Sequence, residues 1–61
     1  MKTQLYSFDA KAVIYTGSLL DVYNYVDDMI KRNGYTVLEQ TPTHVVVASK
    51  YGSVKRYNIE Q

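Results

Sequence analysis

Residues 18–33 read SLLDVYNYVDDMIKRN and have the apolar spacing of an amphipathic helix. Apolar side chains recur at intervals of three and four residues, which puts them on one helical face. They are Leu19, Val22, Tyr23, Val26, Met29 and Ile30. The rest of the chain contains no second stretch with this period. The apolar face is therefore expected to pack on a sheet formed by the other residues.

Both ends of the predicted helix carry residues that favour a helix boundary. The hydroxyl of Ser18 can accept a hydrogen bond from a free backbone N–H of the first turn. Gly34 can adopt the left-handed conformation that ends a helix. Two ion pairs between residues four apart are expected on the polar face: Asp27 with Lys31, and Asp28 with Arg32. Each such pair contributes about 0.2–0.5 kcal/mol.

The remaining sequence predicts four strands, so we expect a single α+β domain over residues 1–61 with the order β-α-β-β-β. The strands are predicted at residues 3–16, 35–40, 44–49 and 54–59. Residues 3–16 could instead form a hairpin at Asp9-Ala10-Lys11, but no Gly, Pro or Asn stands at the midpoint, which favours one strand. Its even-numbered residues are the more apolar and are expected to face the helix: Tyr6, Phe8, Ala10, Ala12 and Ile14. The last three strands predict a mostly antiparallel meander, and the position of the first strand stays open.

The register of the last two strands follows from their turn. A two-residue turn at Tyr51-Gly52 would pair Val46 with Tyr57 and would put both on the helix side. Ala48 and Ile59 would share that face. Val45 and Val47 would then lie on the opposite face of the sheet. A slip of one residue would exchange the two faces.

In that register, Val45 and Val47 predict a self-association face. One helix covers only one face of a sheet, and contiguous exposed apolar surface usually marks an interface. A chain of 61 residues without cysteine also gains stability from a partner. We therefore expect a homodimer that packs sheet on sheet. The competing interpretation is that long neighbouring side chains, such as Arg56, fold over the valines and shield them.

The last hairpin carries a second candidate surface, made of Lys50, Tyr51, Lys55 and Arg56. Cations that bind phosphate and rings that stack on bases are what a single-stranded nucleic-acid site needs. The other interpretation is that Lys and Arg protect an edge strand from aggregation.

The sequence offers no constellation for catalysis, so we expect no enzyme activity, no metal and no cofactor. His44 is the single histidine, and no nucleophile or ligand cluster accompanies it. Asp27 and Asp28 are adjacent in the helix, so their side chains point about 100° apart and do not converge.

Charge and composition also limit the class of protein. The formal net charge is +1, which is too balanced to argue for nucleic acid or a membrane surface. No apolar run approaches the roughly 18 residues of a membrane span, so we expect a cytoplasmic protein. In size and composition alone, the chain resembles short proteins carried by phages and other mobile elements, many of which bind a host protein. We therefore expect a small non-enzymatic protein-interaction module that self-associates. The alternative is a nucleic-acid-binding protein that uses the basic hairpin.

Overall fold

The computed structural model describes residues 2–61, so Met1 of the predicted domain lies outside the described residues. Within them, helix α1 (Leu19–Asn33) packs on one face of a five-stranded antiparallel sheet. The strands are β1 (Thr3–Ser7), β2 (Ala12–Gly17), β3 (Thr36–Gln40), β4 (His44–Ala48) and β5 (Val54–Glu60). Their order across the sheet is β2-β1-β5-β4-β3. The α+β class is confirmed, whereas the predicted four strands and their order are wrong.

The helix forms as the sequence predicts. The Ser18 hydroxyl accepts a hydrogen bond from the backbone N–H of Asp21 at 3.1 Å. Gly34 ends the helix with φ of 66°, and its N–H bonds back to the helix carbonyls. The two expected ion pairs, Asp27 with Lys31 and Asp28 with Arg32, are each 3.0 Å long. Val22, Val26 and Met29 of the apolar face are buried.

Residues 3–16, which were predicted to form one strand, form the hairpin of β1 and β2 instead. This hairpin was the second interpretation of that stretch. The chain reverses between Ser7 and Ala12, where Lys11 adopts a left-handed φ of 55°. The side chain of Ser7 accepts a hydrogen bond from the N–H of Ala10 at 3.1 Å and holds the turn. Because the chain reverses here, the alternation of inward and outward side chains that was predicted for one continuous strand over residues 3–16 does not hold. Leu5 and Ser7 face the helix, and the aromatic ring of Tyr6 faces away from it.

The register of β4 and β5 differs by one residue from the predicted one. The connection spans Ser49–Ser53 instead of two residues, so Ala48 pairs with Val54 and Val45 pairs with Tyr57. The Ser49 N–H bonds to the Ser53 carbonyl at 2.8 Å and closes this longer turn. Val46 and Ala48 therefore lie away from the helix, which contradicts their predicted place beside Tyr57.

The core lies between α1 and the three central strands. Its buried side chains are Leu5, Val22, Val26, Met29, Val45, Val47, Tyr57 and Ile59. β1 lies between β2 and β5, which settles the position that the sequence left open. The helix lies nearest β1 and β2, where Tyr25 stacks on Tyr15 with ring centroids 4.4 Å apart. At the other side, the Tyr23 hydroxyl donates to the carbonyl of Pro42 at 3.1 Å.

Candidate functional site

The sheet face opposite α1, which we call the outer face, has no helix over it in the part of the chain described. Strand pairing defines its members, because directly opposed residues share a face. Tyr6 stands between Val13 and Asn58, and Val46 is paired with Arg56. The apolar members of the outer face are Tyr6, Phe8, Val13, Val46, Ala48 and Val54.

These apolar residues form two clusters at opposite sides of the outer face. The aromatic cluster contains Val13, Tyr6 and Phe8, and the two rings meet edge to face with centroids 5.2 Å apart. Phe8 is 45% exposed. The aliphatic cluster contains Val46, Ala48 and Val54. The Arg56 and Asn58 side chains of β5 lie between the two clusters.

A groove of about 330 Å³ lies between the clusters and contains the polar groups of the outer face. Its lining residues are Phe8, Glu39, His44, Val46, Arg56, Tyr57 and Asn58. The His44 Nε2 atom contacts the Glu39 carboxylate, and its Nδ1 atom lies 3.2 Å from the Thr41 hydroxyl. Among residues 2–61, Arg56 has no ion-pair partner. Its guanidinium is available to a partner molecule.

Val45 and Val47 do not lie on this outer face, so their predicted role as an exposed self-association face is wrong. Both side chains are 0% exposed and pack beneath α1. The physical reason is the longer turn at Ser49–Ser53, because a one-residue change of register moves every side chain of a strand to the other face. Val46, between them, takes the outer position.

The two edge strands are each interrupted by an irregularity. In β3, the pairing with β4 shifts at Leu38, and in β2 the pairing with β1 shifts at Ile14. A bulge twists an edge strand and disrupts the row of free backbone groups that another chain would pair with. The sheet edges are therefore poorer surfaces for association than the outer face.

The four predicted nucleic-acid contacts are divided between two surfaces. Lys55 is paired with Val47 and faces the helix side, whereas Arg56, the next residue, faces the outer side. Lys50, Tyr51 and Lys55 do come together, in a groove of about 560 Å³ beyond the end of α1. We call it the basic groove; its lining residues are Arg32, Asn33, Tyr35, Ser49, Lys50, Tyr51, Ser53 and Lys55. Tyr35 could not be assigned to this groove from the sequence, because only the fold brings it beside the last hairpin.

Two titratable groups near this groove have raised pKa values. Lys55 Nζ donates a hydrogen bond of 2.9 Å to Asp9, and this bond together with the nearby carboxylate charge raises the pKa of Lys55. Burial raises the pKa of the Tyr57 phenol, and the nearby Tyr35 adds to the effect. Lys55 therefore keeps its charge throughout the neutral range.

The described residues contain no group of three or more His, Cys, Asp or Glu side chains that could hold a metal ion. Helix α1 is too short and too polar to cross a bilayer, and residues 2–61 contain no other helix. Among the described residues, the outer face has exposed apolar side chains beside a groove, and the basic groove has cationic and aromatic side chains. These are the two candidate surfaces for binding a partner.

Comparison of the chain with protein-family models, with curated proteins and with solved structures finds no match.

Proposed function

We propose that this protein is a self-associating protein-interaction module, and that its outer face binds the same face of a second copy. The observation that carries the proposal is the open outer face, with Phe8, Val13 and Val54 all more than 40% exposed on it. Exposed apolar patches that are rimmed by polar residues often mark an interface. Aromatic residues and Arg are also the types enriched in interfaces, and the outer face has both.

The arrangement of the two clusters suits a two-fold dimer. The aromatic cluster lies on β1, β2 and the turn between them, whereas the aliphatic cluster lies on β4 and the first residue of β5. A two-fold axis near β5 would bring the aromatic cluster of one copy against the aliphatic cluster of the other, as an isologous interface requires.

Association face to face is favoured over pairing along an edge because both edge strands carry a bulge. Arg56 adds a specific polar contact, since its free guanidinium can reach a carboxylate of the second copy. A host-cell protein, the partner type that the size and composition suggest, would bind the same face and compete with the second copy.

The experiment is light scattering over a concentration series on the parent and on Val46→Lys. Val46 is half-buried in the aliphatic cluster, so a lysine there keeps the fold and puts a charge into the interface. The parent is expected to dimerise, and Val46→Lys is expected to raise the dissociation constant at least tenfold.

Leu20→Lys is the matched control, because Leu20 is 67% exposed on the helix, on the other side of the molecule. Leu20→Lys also replaces an apolar side chain with a lysine, but it does so away from the outer face, so the dimer should stay intact. A parent that stays monomeric at high micromolar concentration would overturn the proposal. A dimer that Val46→Lys does not weaken would move the interface to another surface.

A further inference from the structure

We propose that the basic groove binds single-stranded nucleic acid. In this arrangement the phosphates contact Arg32, Lys50 and Lys55, and a base stacks on Tyr51. The proposal is separate from self-association, because the groove lies at the end of α1 and the dimer uses the outer face. The residues of this site differ from those predicted from the sequence for the basic hairpin. Arg56 does not line the groove, whereas Arg32 and Tyr35 do.

The charge of the groove favours an anion. Three cationic side chains line it, and no carboxylate does. Arg32 is paired with Asp28, and Lys55 is paired with Asp9, but both carboxylates are more than half exposed. Exposed ion pairs of this kind are weak, so a phosphate can replace the carboxylate or join it. Lys50 has no carboxylate partner within residues 2–61 and needs no rearrangement to contact a phosphate.

The groove adjoins the carboxyl end of α1, where the helix dipole would repel an anion. Three carbonyls near this end, those of Met29, Ile30 and Lys31, accept hydrogen bonds, which reduces this repulsion. The Asn33 side-chain amide donates to the carbonyl of Met29 at 2.9 Å, and the Tyr35 N–H donates to the carbonyl of Ile30 at 3.0 Å. Gly34 caps Ile30 and Lys31 as well.

The aromatic residues distinguish a nucleic acid from an acidic protein segment. Tyr51 is 85% exposed at the tip of the β4–β5 turn, so a base can stack on its ring. The Lys50 ammonium lies 5.4 Å from the centre of that ring, which keeps one cation and one ring side by side. Paired cations and stacking rings are the two components of a single-strand site. An acidic peptide would use the cations and leave the rings without a role.

Fluorescence anisotropy with labelled mixed-sequence single-stranded DNA and RNA tests the proposal at low salt. The parent is expected to bind, with an affinity that falls steeply as salt rises. Tyr51→Ala is expected to weaken binding about fivefold or more, because it removes one stacked base. Lys50→Gln is expected to reduce the slope of log affinity against log salt by about 0.7, the value for one phosphate contact on a single strand.

Lys2→Gln is the matched control. Lys2 is exposed beside the opposite end of β1 and β5, so its substitution removes the same charge far from the groove. It should leave the affinity within twofold of the parent. Binding to either DNA or RNA supports the proposal, and tighter binding to one of the two identifies which nucleic acid the groove prefers. The proposal fails if the parent binds neither strand at low salt. It also fails if Lys2→Gln weakens binding as much as Lys50→Gln, or if poly-glutamate binds equally well and Tyr51→Ala has no effect.

Discussion

The side chain of Tyr57 makes the stability of the folded protein depend on the pH of the solution. Its ring is buried between Val45 of β4 and Ser7 of β1. Burial raises the pKa of its phenol above the ordinary value near 10. The folded protein therefore holds this proton more tightly than the unfolded chain does. Stability from this group is complete below about pH 10 and is lost as the pH rises through the folded pKa.

The first prediction is that Tyr57→Phe flattens the alkaline loss of stability. In urea unfolding, the parent should lose free energy of unfolding above about pH 10, as the pH rises through the folded pKa of Tyr57. The variant has no phenol at position 57 to ionise and should lose less. Some loss should remain, because the pKa of Lys55 is raised too and its pair with Asp9 weakens in the same direction. Equal losses in parent and variant would mean that the Tyr57 phenol is not protected by the fold.

At the scale of the element, the β1–β2 hairpin forms around a turn that contains no Gly, Pro or Asn. Lys11 takes the left-handed φ of 55° that Gly or Asn commonly supplies. Three side chains support the turn: Ser7 bonds the N–H of Ala10, and Asp9 pairs with Lys55 of the neighbouring strand. These contacts offset the conformational strain at Lys11. The Ser7 bond is local, whereas the pair between Asp9 and Lys55 joins residues that are distant in the sequence.

We therefore predict that Lys11→Gly stabilises the domain. A non-glycine residue in the left-handed region costs about 1 kcal/mol, and glycine removes that cost. The gain in the free energy of unfolding should be at most about 1 kcal/mol, since glycine also makes the unfolded chain more flexible. Lys11→Ala is the control, because it removes the long side chain and keeps the Cβ atom. If chemical denaturation finds Lys11→Gly no more stable than Lys11→Ala, the turn is not strained.

The helix could be predicted from the sequence because its signals are local. Ser18, the apolar period and Gly34 act within a few residues of one another, and each has the predicted role. The sheet depended on contacts between distant residues. The length of the Ser49–Ser53 turn moved Val45 and Val47 from the predicted outer face into the core. An uncovered sheet face was predicted from the sequence, but Val45 and Val47 were assigned to it because the predicted register was one residue off.

At the scale of the whole molecule, size is the main constraint. A domain of 61 residues buries only about 60% of the surface of its unfolded chain, and it has no disulfide to compensate. One helix covers one face of the sheet, so the outer face contributes little burial to a single copy. A second copy would bury Phe8, Val46 and Val54 and would stabilise the fold as well as the dimer.

The last prediction follows from this coupling: the melting temperature of the parent should depend on its concentration. If dimerisation is part of folding, mass action shifts the equilibrium toward the folded dimer as concentration rises. For a domain of this size the expected rise is roughly 3–6 °C for each tenfold increase. Val46→Lys should melt at a lower temperature that no longer changes with concentration, and Leu20→Lys should behave as the parent does. Circular dichroism at several concentrations measures all three. A parent whose melting temperature is constant over two decades of concentration would mean that each copy folds without help from its outer face.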